Sequence, residues 1–106
     1  MQTDYVLILV TAASTEEAEQ ISWILIKKQL VACVNIISPV KSLFRWKGEL
    51  CQENETVMLL KALRKNFDSI QREIKSAHSY ENPEIIALPI ILGAEDYLNW
   101  IKTESV

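Results

Sequence analysis

The chain has 106 residues, 49% of them hydrophobic, and a net charge of -3 at pH 7, which is typical of one small globular domain spanning 1–106. Lysine and arginine are scattered along the chain, so no basic face predicts binding to nucleic acid. The longest apolar stretch, IIALPIIL, is about half as long as a membrane span, and no basic region precedes the amino-terminal apolar run, as it would in a signal peptide. We therefore predict a cytoplasmic protein without membrane insertion.

The first half of the chain predicts a strand, a helix and a second strand. YVLILV at 5–10 is a continuous apolar run, typical of a central strand. Ser14 and Glu17 form an S-x-x-E capping box before apolar residues at helical spacing, which predicts a helix over 15–29. Residues 31–46 then read as a long strand, in which Pro39 predicts a bulge or an edge position because it has no amide hydrogen.

The second half predicts a returning strand, a helix, a strand and a closing helix. These lie at 48–63, at 67–77 with its end just before His78, at 84–92 and at 94–103. The order β-α-β-β-α-β plus a short C-terminal helix predicts an α+β, ferredoxin-like fold, with a four-stranded antiparallel sheet and two helices on one face.

The central hairpin is too long for a monomer of this size. Each arm runs to roughly 14 residues, against about 5 or 6 in a usual strand. Its overhang, with Phe44 and Trp46 near the tip, would be an exposed apolar ribbon in a monomer. The hairpin therefore predicts pairing with another subunit.

The sequence has no motif of a conventional enzyme, so we predict that the protein is not one. It has no P-loop, no G-x-G-x-x-G and no Ser-His-Asp order, and two glycines cannot build a phosphate cradle. Cys33 and Cys51 fit neither a disulfide framework nor a zinc ribbon. They predict two buried or half-buried thiols in a reducing compartment.

HSYENPEI at 78–85 contains the only histidine and leaves two interpretations open. His78 either binds a carbonyl at the end of a helix or is a metal ligand near Glu81 and Glu84. With a cysteine thiolate, the imidazole becomes a ligand pair for copper or zinc.

A second group of residues has the chemistry of a small-ligand cleft. Trp46 and Tyr80 supply flat walls, whereas Lys61 and Glu84 supply polar orientation. The alternative is that Trp46 and Tyr80 pack at a subunit interface. Lys61, within the apolar run VMLLKAL, must extend to solvent or meet a carboxylate.

Four stretches in order resemble the CutA family of divalent-cation tolerance proteins. They are ACVNI at 32–36, SLFRWKG at 42–48, HSYENPEI at 78–85 and YLNWI at 97–101. The resemblance implies a homotrimer whose hairpins pair between subunits, kinship with the trimeric PII signalling proteins, and binding of copper or another divalent cation.

Transferred to this chain, the resemblance implies that His78 and Cys33 are metal ligands and that Trp46, Lys61, Tyr80 and Glu84 line a cleft. Ser79 stands where the family usually has proline, which implies a looser loop. Phe44 replaces the usual tyrosine and removes a hydroxyl.

The main hypothesis is a trimeric protein that binds divalent metal, copper above all, in the response to metal ions. The first alternative is a PII-like sensor that binds a small metabolite or an anion in clefts between subunits. The second alternative is a stable trimeric scaffold for other proteins.

Overall fold

The computed structural model describes residues 3–106, and its elements follow the expected order. A single 3-10 turn, Arg64–Asn66, precedes the second helix. The strands and helices are β1 (Tyr5–Ala12), α1 (Thr15–Lys27), β2 (Val31–Trp46), β3 (Glu49–Leu63), α2 (Phe67–Ala77), β4 (Ile85–Pro89) and α3 (Glu95–Thr103).

The four strands form one sheet in the order β2-β3-β1-β4, and every neighbouring pair is antiparallel. β1 is therefore a central strand, as its apolar run predicts. Its residues alternate between buried and half-buried along the whole strand, because α1 and α2 cover one face of the sheet. The α+β, ferredoxin-like prediction is confirmed.

The core lies between that sheet face and the two helices. Ile8 of β1, Leu60 of β3, Leu25 of α1 and Ile70 of α2 are all fully buried. Burial of each such side chain contributes about 1.5–3 kcal/mol. α3 packs separately against β2 and β3, with Ile101 buried.

The β2–β3 hairpin extends well beyond the sheet. β1 pairs with β3 only as far as Thr56, so residues 49–55 pair with β2 alone. Pro39 lies within a register shift between Ile37 and Val40 on an edge strand, which confirms the predicted bulge. Lys47 and Gly48 form the turn with φ of 50° and 83°, the left-handed conformations of a two-residue hairpin turn.

Several boundaries differ from the sequence prediction. α1 ends at Lys27 rather than 29, because Gln29 adopts a left-handed φ of 55°. β4 ends at Pro89 rather than 92, where proline offers no amide hydrogen to a ladder. None of the helices in residues 3–106 is long and apolar enough to cross a membrane.

Replacement of Ser14 by alanine tests the start of α1. The Ser14 Oγ accepts a hydrogen bond from the Glu17 amide at 3.2 Å. We expect Ser14→Ala to lower the free energy of unfolding by about 1 kcal/mol, measured by urea denaturation. Ser14→Asp is the control, because it keeps an acceptor at the cap and should retain the stability. An equal loss in both variants would contradict the capping role.

Candidate functional site

The segment 78–84 connects α2 to β4 and lies against three other elements. Its first residue, His78, is the C-cap of α2 and adopts an extended conformation with ψ of 142°. Its side chain is completely buried. The Nε2–H of the imidazole donates to the Thr11 carbonyl at 2.7 Å, and Nδ1 accepts from the Tyr80 amide at 3.0 Å. The carbonyl belongs to β1 and not to α2, so the imidazole holds the segment against the sheet.

Ser79 is held by the first turn of α1. Its amide donates to Glu17 Oε1 at 2.8 Å, and its hydroxyl donates to Glu17 Oε2 at 2.8 Å. The same Oε1 lies 3.3 Å from Nδ1 of His78. The serine at this position implied a looser loop, but the structure shows that a carboxylate from a distant element anchors it.

Tyr80 makes the third connection, to β3. Its hydroxyl donates to Glu55 Oε2 at 2.9 Å, and its ring centroid lies 4.7 Å from that of His78. Burial, followed by the hydrogen bond and the negative charge of Glu55, raises the pKa of Tyr80 above its ordinary value. The tyrosine is therefore a neutral hydrogen-bond donor at any physiological pH.

An open cleft of about 790 Å³ lies between this segment and the long hairpin. Three of the four predicted cleft residues, Trp46, Tyr80 and Glu84, line it together with Phe44. Across its rim, Lys47 Nζ lies 3.8 Å from Glu81 Oε2 and 5.6 Å from the Trp46 ring centroid. The remaining lining residues are Thr11, Ala13, Ser42, Leu43, Glu53, Asn54, Glu55, Ser79, Glu81 and Asn82.

Lys61, the fourth predicted cleft residue, does not line this cleft within one chain. Its ammonium binds the Asn35 side-chain oxygen and lies 3.9 Å from Cys33 Sγ. Lys61 therefore meets an amide and a thiol rather than a carboxylate.

Cys33 also lies beside Tyr97 of α3. Burial, followed by the charge and hydrogen bond of Cys33, raises the pKa of Tyr97.

The two predicted metal ligands also lie apart. In the sheet, Cys33 of β2 lies opposite Lys61 of β3, and Lys61 lies opposite Leu7 of β1. His78 contacts Thr11, which is four residues further along β1. Four residues of strand span about 13 Å. Residues 3–106 contain no group of three or more His, Cys, Asp or Glu side chains placed to hold a metal ion. One chain therefore does not bring His78 and Cys33 to a common ion.

Two carboxylates that shape the site were not predicted as site residues. Glu17 is recognisable from sequence as part of a capping box, but its side chain binds Ser79, which is 62 residues away. Glu55 lies in the acidic stretch QENET, where nothing distinguishes it from Glu53. Both roles depend on where α2 places the segment 78–84, which local spacing does not reveal.

Comparison with known proteins gives the family. The model of the family "CutA1 divalent ion tolerance protein" matches residues 6–104. This chain belongs to the CutA1 family. The Divalent-cation tolerance protein CutA of Archaeoglobus fulgidus is 44% identical to it, with 89% of this chain and 91% of the relative covered. The protein of the same name from Thermus thermophilus is 38% identical, with 93% and 96% covered.

Solved structures of the family share the fold closely. The structure of the Archaeoglobus fulgidus protein, there called periplasmic divalent cation tolerance protein CutA, superposes with a TM-score of 0.92. Its sequence identity to this chain is 41%, and the match covers 94% of this chain and 97% of that one. The CutA resemblance read from four short stretches is confirmed.

Removal of the Tyr80 hydroxyl tests its bond to the buried carboxylate. Tyr80→Phe leaves Glu55 without that donor, so we expect a loss of about 1.5–3 kcal/mol in the free energy of unfolding. Tyr5→Phe is the matched control, because the Tyr5 hydroxyl makes no hydrogen bond within the described part of the chain. Denaturation of both variants measures the free energy of unfolding, and equal stability of Tyr80→Phe and Tyr5→Phe would show that the bond contributes nothing.

Proposed function

We propose that this chain is a non-enzymatic, homotrimeric protein of the cytoplasm that binds divalent metal, copper above all, in the response to metal ions. Family membership supports the link to divalent cations, since its relatives carry the name Divalent-cation tolerance protein CutA. Both cysteines are free thiols, which agrees with a reducing compartment.

One observation supports His78 as the metal ligand. The bond from Nε2–H to Thr11 leaves the lone pair on Nδ1, and Nδ1 lies 3.3 Å from a carboxylate oxygen of Glu17. Two ligands of a tetrahedral ion, each about 2.0–2.1 Å from it, are separated by about 3.3 Å. A backbone carbonyl on the far nitrogen also orients many metal-binding histidines. A metal here would replace the Tyr80 amide as the partner of Nδ1.

Cys33 is the second proposed ligand, and imidazole with thiolate is a favourable set for copper. Because it lies far along the sheet from His78 in one chain, it can join that ion only if another chain contributes it. Cys33→Ser therefore tests a contribution from a neighbouring subunit.

Calorimetric titration with copper(II) tests the His78 site. We expect His78→Ala to lower the affinity at least tenfold, or about 1.4 kcal/mol, because it removes the only imidazole. Glu17→Gln keeps the ring and should also weaken binding, whereas Glu16→Gln, an exposed neighbour in the same helical turn, should not. Unchanged affinity in His78→Ala would exclude this residue as the copper ligand.

Exposed apolar surface supports the homotrimer. On the sheet face opposite α1 and α2, Ile37, Ile86 and Leu88 are 44–51% exposed. At the overhanging hairpin, Leu43 and Leu50 are 72% and 79% exposed. Exposed apolar residues mark interfaces when they form a patch, and their position on this sheet face and on the hairpin agrees with hairpins that pair between subunits.

Light scattering after size exclusion tests the assembly. We expect a molar mass of three times the 12.1 kDa of one chain. Ile86→Glu places a charge on the sheet face opposite α1 and α2 and should shift the population towards monomer. The control is Trp23→Glu, which changes a 60% exposed residue of α1 on the opposite side of the sheet and should leave the mass unchanged. A monomeric wild-type chain would contradict the proposal.

The PII-like sensor is a second candidate function, favoured by the cleft that joins Trp46, Tyr80 and Glu84. Its volume falls within the range of about 300–1,000 Å³ that small-molecule sites occupy. The charge of its lining bears on which ligand it would accept.

A further inference from the structure

The cleft between the hairpin and the segment 78–84 has a strongly one-sided charge. Four carboxylates line it, from Glu53, Glu55, Glu81 and Glu84, and no lysine or arginine of residues 3–106 lines it. An anionic ligand within the cleft would lie among like charges, which costs free energy at short range, and the Lys47 ammonium at the rim is already paired with Glu81. The lining therefore favours a cation over the anion of the sensor hypothesis.

Glu55 is the deepest of these charges. It is only 8% exposed, and the Tyr80 hydroxyl bonds one of its two oxygens. Within residues 3–106, no lysine, arginine or histidine forms an ion pair with it. Glu55 therefore places in the cleft a carboxylate that no cation of the described chain contacts, and a cation bound there would meet it.

At the rim of the cleft, a lysine ammonium of this chain lies beside an aromatic ring and a carboxylate. The Lys47 ammonium sits between the Trp46 ring and a Glu81 oxygen, at 5.6 Å and 3.8 Å. Aromatic faces attract cations through their quadrupole. Phe44, Trp46 and Tyr80 place three such rings along the lining, so the walls suit the carbon skeleton of an organic cation.

The same surroundings suit a bare metal ion poorly. Divalent cations such as Mg²⁺ and Ca²⁺ take six or more oxygen ligands, whereas the described chain contains no cluster of three potential protein ligands. A cleft of about 790 Å³ with aromatic walls is also far larger than an ion requires.

We propose that this cleft binds an organic ammonium cation, whose charge is met by Glu55 and whose carbon chain lies against Trp46. The site takes a different class of ligand from the metal site proposed at His78. It changes the sensor hypothesis by replacing an anion with a cation as the recognised group.

Calorimetric titration of the full-length protein in metal-free buffer of low ionic strength tests this. The probe is 1,4-diaminobutane, and its uncharged counterpart is 1,4-butanediol. We expect the diamine to bind and the diol not to bind. Glu55→Gln, which keeps an acceptor for the Tyr80 hydroxyl, should weaken diamine binding at least tenfold. Trp46→Leu, at an exposed hairpin position, should weaken it about threefold or more.

Glu19→Gln is the matched control, since it removes the same charge from an exposed position on α1 outside the cleft and should change the affinity less than twofold. Thermal melting of each variant shows whether it is folded. If Glu55→Gln does not fold, Trp46→Leu still tests the proposal. Absence of diamine binding, equal binding of the diol, or equal affinity in wild type and both cleft variants would overturn the proposal. Because no metal is present, none of these results bears on copper at His78.

Discussion

The buried imidazole of His78 is the interaction on which the rest of the site depends. Its two ring nitrogens bind a carbonyl of β1 and an amide of the segment 78–84, so one side chain joins the sheet to the connection between α2 and β4. A polar ring with no exposed surface is tolerated only when its hydrogen bonds are satisfied. In the free protein the imidazole therefore binds a strand carbonyl and does not cap α2, contrary to the helix-end interpretation. A metal ligand at this position must exchange one of these bonds for a bond to the ion.

Two carboxylates from distant elements complete the anchoring, and both act as acceptors. Glu17 receives the amide and hydroxyl of Ser79, and Glu55 receives the hydroxyl of Tyr80. Neither carboxylate is paired with a lysine or arginine in the described chain. The segment is therefore held by neutral donors against negative charges, and the negative charge remains available to a cation. Both proposed cation sites depend on this unpaired negative charge.

The sequence predicts the fold well because apolar periodicity and capping are local signals. The bounds of β2 at Val31 and Trp46 and of α2 at Phe67 and Ala77 agree with the prediction. The site is less predictable. Lys61 is conspicuous in an apolar strand, yet its partners are Asn35 and Cys33 because strand pairing, which sequence spacing does not specify, places them there.

Glu55 is a second residue whose environment the sequence does not predict. The three residues before it in QENET are exposed, whereas Glu55 is buried and accepts a hydrogen bond from Tyr80 of the segment 78–84. The sequence of β3 does not predict the contact between Glu55 and Tyr80, because these residues are 25 positions apart with α2 between them. Burial of a charge is a tertiary property, so the residues proposed to select a cationic ligand in this cleft can be identified only from the fold.

The distribution of negative charge connects the two proposed ligand sites. At Glu17 an imidazole nitrogen lies 3.3 Å from the carboxylate, a pair of ligands close enough to share one small ion. At Glu55 the neighbours are an aromatic hydroxyl and a wide cleft with aromatic walls, where a small ion would lack ligands and a larger organic cation would not. The same surplus of carboxylates therefore favours cations in both places, and the spacing and type of the neighbouring groups select between a metal and an ammonium.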